Sequence, residues 1–114
     1  MSAPRPRRAS ARWLDGDCPA GVLAIFDNGG KTWDRYTVLY VPEPGSYYVP
    51  YLAASSEPFA PHGFGQHGEM TVWDARAYRY RAARRESCKW SDLPGDVQRA
   101  VRQDLQAIES EGNK

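Results

Sequence analysis

The chain has 114 residues, a formal net charge of +1 and 25% charged residues. It fits one ordinary domain and carries no global field that would draw in a polyanion or a membrane surface. Aromatic residues make up 12% of it, four of them tryptophan, which excludes the composition of a disordered chain.

Residues 1–12 (MSAPRPRRASAR) hold four arginines and little that can be buried. They predict a flexible basic arm ahead of a single α+β domain over residues 13–114. The arm lacks the apolar stretch of a signal peptide, and no run in the chain is long enough to cross a bilayer, so a cytoplasmic protein is expected. Residues 21–26 (GVLAIF) and 36–41 (YTVLYV) are apolar, β-branched runs separated by Asn28-Gly29-Gly30. Residues that tolerate positive φ between two such runs predict an antiparallel hairpin with a long loop, residues 27–35. Residues 47–52 (YYVPYL) read as a third strand, and Pro50, which has no N–H to donate, predicts an edge or bulged position.

Residues 55–68 (SSEPFAPHGFGQHG) are dense in proline and glycine and carry both histidines. They predict a structured loop without regular elements, pinned by Phe59 and Phe64. A strand is expected to resume at residues 70–73. Residues 74–89 fit a strand with one basic face, since Tyr78 and Tyr80 alternate with Arg79 and Arg81, and fit a short helix over residues 75–85 as well. At the C-terminus, Trp90-Ser91-Asp92-Leu93-Pro94 supplies capping groups and a first-turn proline. Val97, Val101, Leu105 and Ile108 then recur at helical spacing, widened by Ala100, and Gly112 is a suitable stop. The fold expected is an antiparallel sheet of about four strands with this helix packed on one face.

Chemistry-bearing residues are sparse. Gly30-Lys31-Thr32 is no phosphate loop: the glycine that pattern needs five positions earlier is Ile25, and a strand follows where a helix is required. Asp27 and Asn28 fit an Asx turn, and Asp34 and Arg35 fit a local ion pair. The same residues also fit contacts to a small polar ligand. His67, beside Gln66 and Glu69, fits a hydrogen-bonded surface histidine, with acid–base work at a carboxylate as its chemical alternative. No metal-ligand spacing occurs, and no metal or cofactor is expected. Cys18 and Cys88 are too few for a disulfide framework and read as inert thiols. Arg76, Arg79, Arg81, Arg84 and Arg85, interleaved with tyrosines, suit either a solvated face or nucleic acid.

The segment Ile25-Phe26-Asp27-Asn28-Gly29-Gly30-Lys31-Thr32-Trp33-Asp34-Arg35-Tyr36-Thr37-Val38 resembles a YDNGGxTxDRYTV pattern of small uncharacterised phage and actinobacterial proteins, with Phe26 in place of the tyrosine. Pro58-Phe59-Ala60-Pro61-His62-Gly63-Phe64-Gly65-Gln66-His67 is similar to the PxxPxGFxQH loop that follows in them, and Leu93 to Gln98 to a closing LPxDVQ helix. The resemblance implies a phage-type accessory protein in the cytoplasm of a bacterial host, and no particular activity.

From the residues, the two loops at 27–35 and 58–69 are expected to meet at one end of the sheet. A small polar or anionic ligand would sit between them against Asp27, Asn28, Asp34, Arg35, Gln66 and His67. Alternatively, the chain is a non-catalytic interaction protein that contacts a host protein or nucleic acid through its basic arm and residues 76–89.

Overall fold

A computed structural model describes residues 18–82 and 88–112. The expected arm at 1–12 and the start of the domain at 13–17 lie outside the described residues, as do Arg84 and Arg85.

Strands β1 (Val22–Asp27), β2 (Tyr36–Tyr40), β3 (Tyr48–Ala54) and β4 (Gly65–Thr71) form one antiparallel sheet in sequence order. Helix α1 (Val72–Ala82) follows β4 directly, and a single 3-10 turn (Trp90–Asp92) leads into helix α2 (Gly95–Gly112). The α+β fold with a four-stranded antiparallel sheet and a C-terminal helix is as the sequence predicts.

Both sheet faces are covered. On one, Ile25, Val38 and Leu52 pack with Trp90, Leu93, Val97 and Val101, so α2 and its lead-in turn form that layer. On the other, Phe26, Leu39 and Val49 pack with Ala75 of α1. The pairing Val22↔Tyr40 is followed by Ala24↔Leu39, which leaves Leu23 as the extra residue of a bulge. The bulge restores the alternation so that Val22 and Ile25, three apart, both face α2.

Two strand assignments differ from the sequence reading. Pro50 lies in an interior strand, because β3 pairs with β2 and with β4. Pairing with β2 stops at Tyr51, one residue short of the proline, so β3 has only β4 beside it there. The last strand also begins inside the supposed irregular loop, at Gly65 rather than residue 70. Gly68 permits this: a Cβ there would stand 2.7 Å from the ring of Tyr51, its cross-strand partner, which packs over the bare backbone.

Residues 74–82 are helical, which decides between the two readings left open for them. Pro94 precedes α2 instead of opening its first turn, and its carbonyl accepts the N–H of Gln98 at 3.0 Å. Val97 and Val101 are fully buried and Ala100 and Leu105 pack beside them, but Ile108 is 40% exposed because the helix outruns the sheet core. Phe59 is half exposed and lies under the guanidinium of Arg99, 4.3 Å from its ring centre, so it tethers its loop to α2.

Leu52 is buried at the centre of the α2-facing layer. Leu52→Ala should cost about 2–5 kcal/mol, read as a lowered urea midpoint with an unchanged slope.

Candidate functional site

The loop between β1 and β2 is built from its own polar side chains. Asp27 Oδ1 accepts the Gly29 N–H at 2.8 Å, and Asn28 Oδ1 accepts those of Gly30 and Lys31 at 2.8 and 3.0 Å. Two successive Asx turns result, with Gly29 and Gly30 at φ 79° and 89°, where a side chain would be strained. Asn28 Nδ2 donates to Thr32 Oγ1 at 2.8 Å, and that hydroxyl donates to Asp34 Oδ1 at 2.5 Å.

Arg35 closes the loop as a fork on Asp27, with Nε on Oδ1 at 2.7 Å and Nη2 on Oδ2 at 3.1 Å. The local pair expected between Asp34 and Arg35 is therefore replaced: the partner of Arg35 is Asp27, and Asp34 belongs to Thr32. The Arg35 hydrogen bonds hold the Asp27 carboxyl below its usual value. A depressed carboxyl stabilises the fold above its unfolded value of about 3.9, and that contribution is lost as pH falls through the lowered one.

At this end of the sheet lies a cleft of about 300 Å³ lined by Gly30, Thr32, Trp33 and Arg35 from one side and Ser55, Ser56, Glu57 and His62 from the other. The two loops thus meet, through His62 and the residues just before Pro58. Glu57 and His62 pair at 3.3 Å. Trp33, 63% exposed, forms an open aromatic wall. Gln66 and His67 are not among the lining residues, since both lie in β4.

His67 belongs to a second constellation, which the sequence reading missed. Its Nε2 lies 2.5 Å from Asp104 Oδ1 on α2, while the Tyr40 hydroxyl donates to Asp104 Oδ2 at 2.6 Å. The Asp104 side chain is only 13% exposed, whereas His67 is 67% exposed. A groove of about 430 Å³ opens beside them, walled by Pro50, Glu69, Ala107 and Ile108. Asp104 was legible in principle, being an acid three residues after Val101, on the edge of the inward stripe.

Burial, reinforced by Asp104, pushes the Tyr40 hydroxyl well above its ordinary value. Burial likewise raises the Cys88 thiol to about 11, which leaves it protonated and inert at neutral pH. Among the described residues no group of three or more His, Cys, Asp or Glu gathers to hold a metal ion, and no helix is long and apolar enough to cross a membrane.

Asp104→Ala should cost about 1–3 kcal/mol in urea unfolding, because the buried Tyr40 hydroxyl loses its acceptor. Combining Asp104→Leu with Tyr40→Phe should recover much of that loss. The Tyr40 contribution is intact below the unfolded tyrosine value of about 10 and disappears at higher pH, so Tyr40→Phe should flatten the alkaline limb of the stability profile. Comparison of the chain with known proteins finds no matching family model, no matching curated protein and no matching solved structure.

Proposed function

We propose that the protein binds a small polar anion in the cleft between the β1–β2 loop and residues 55–62, as a phage-type accessory factor in the host cytoplasm. The observation that carries this reading is the state of Arg35. Asp27 occupies one edge of its guanidinium and fixes its direction, while the side chain remains 39% exposed and lines the cleft. A guanidinium has five N–H donors, and the fork on Asp27 uses two, so donors remain for an anion.

The rest of the lining suggests what surrounds the charge. Trp33 offers a flat face for a planar group. Glu57 offers acceptors for a hydroxyl or amino group, and Ser55 and Ser56 add small hydroxyls. Arg35, Trp33 and Glu57 together suit an anion with a planar ring and hydroxyl donors, the chemistry of a nucleoside monophosphate. Asp27, Asn28 and Asp34 support the site by shaping the loop, and Gln66 and His67 stand outside it. The phage-type context rests on the motif resemblance of residues 25–38 and 58–67.

Adenosine monophosphate, titrated into the full-length protein and followed by amide NMR, is the first probe. Shifts should concentrate at Gly30, Thr32, Trp33, Arg35, Ser56 and His62. Trp33→Ala should weaken binding about tenfold, the worth of one stacking contact, with the melting temperature unchanged because the indole is exposed. Arg35→Lys, which keeps the charge and loses the fork, should weaken it further. Shifts elsewhere, or affinity indifferent to both variants, count against the cleft.

A further inference from the structure

The opposite end of β3 carries an aromatic cluster that the cleft does not involve. Tyr47, Tyr48 and Trp73 are each about half exposed, at 55%, 48% and 59%. They are organised: the Trp73 indole N–H donates to the Tyr47 hydroxyl at 3.2 Å, and the two tyrosine rings meet edge to face at 5.5 Å. The Arg76 guanidinium lies over the Trp73 ring at 5.4 Å. Three large rings held in register at the surface lose little conformational freedom on meeting a partner.

We infer that this platform binds unpaired bases of a single-stranded nucleic acid, with Arg76 beside it on the phosphates. Charge selects this occupant. Residues 72–85 contain five arginines, namely Arg76, Arg79, Arg81, Arg84 and Arg85, and one acid, Asp74. The near-zero net charge of the whole chain conceals this concentration in the sequence, to which Trp73 and Arg76 of the cluster themselves belong. Aromatic faces accept any base by stacking, arginine adds cation–π and phosphate contacts, and together these make a binder with little sequence preference. Duplex DNA hides its base faces, so the platform distinguishes open strands from paired ones. The site is independent of the anion cleft. The seven residues of β3 separate the two by roughly 20 Å at strand rise.

The test is fluorescence anisotropy of the full chain with a labelled oligothymidine and with a mixed-sequence duplex at several salt concentrations. Oligothymidine should bind more tightly than duplex, with affinity falling as salt rises. Trp73→Ala should weaken it about tenfold or more, Trp73→Phe should retain much of it, and Arg76→Ala should reduce the salt dependence. Circular dichroism of each variant confirms folding. No binding at low salt overturns the inference, as does equal affinity for duplex. So does binding that survives Trp73→Ala in a folded protein, which would assign it to the basic N-terminal residues instead.

Discussion

Every residue of β2 is buried. A five-residue strand with no solvent face requires a layer on each side of the sheet, and the order of elements supplies them. The helix that leaves β4 directly covers one face, and the C-terminal helix returns to cover the other. The sheet centre is thereby covered on both faces, and two exposed features lie at the strand ends. One end holds the β1–β2 loop and the cleft, the other the Tyr47–Tyr48–Trp73 cluster. The bulge at Leu23 belongs to the same constraint, since without it Val22 and Ile25 would face opposite layers.

The ends differ in what holds them together. At the cleft, the Asp27–Arg35 fork and the Asx turns satisfy polar groups of the loop internally, so loop shape and the proposed ligand contact depend on the same side chains. Removing Arg35 would both delete the proposed anion contact and unfasten the loop, and a conservative lysine is the cleaner probe of binding. At the aromatic end, order comes from ring contacts and one indole hydrogen bond, with no buried charge involved.

How far the fold was legible depended on whether burial imprinted a pattern. Residues 21–26 and 36–41 are buried on both faces and read as continuous apolar runs, and Asn28-Gly29-Gly30 marked their connection. Val97 and Val101 imprinted a helical stripe. Gly65-Gln66-His67-Gly68-Glu69, by contrast, forms a strand through its cross-strand bonds to β3 and the cover that Tyr51 gives Gly68, neither of which leaves a local signal. Helix α1 was ambiguous for a related reason: among the described residues its core face is Ala75 with Val72 and Tyr78 only partly buried beside it, a stripe too short and too mixed to separate helix from strand. Of the site, the loop and Arg35 were visible in the sequence. The partner of Arg35 was not, because Asp27 and Asp34 flank the loop equally and only register puts Asp27 opposite Tyr36.

His67 shows why a histidine beside a carboxylate is weak ground for catalysis. Asp104 spends one oxygen on the buried Tyr40 hydroxyl and the other on His67, so it ties β2 and β4 to α2 beyond the reach of the Val97–Val101 contacts. That strut is needed where the helix outruns the sheet core and Ile108 is left partly exposed. The imidazole keeps Nδ1 for solvent, and a general base at that atom would need a reacting group within hydrogen-bond reach. The groove beside it is walled by Pro50, Tyr51, Ala107 and Ile108, with Glu69 as its additional acid. The arrangement therefore accounts for His67 as a link between sheet and helix.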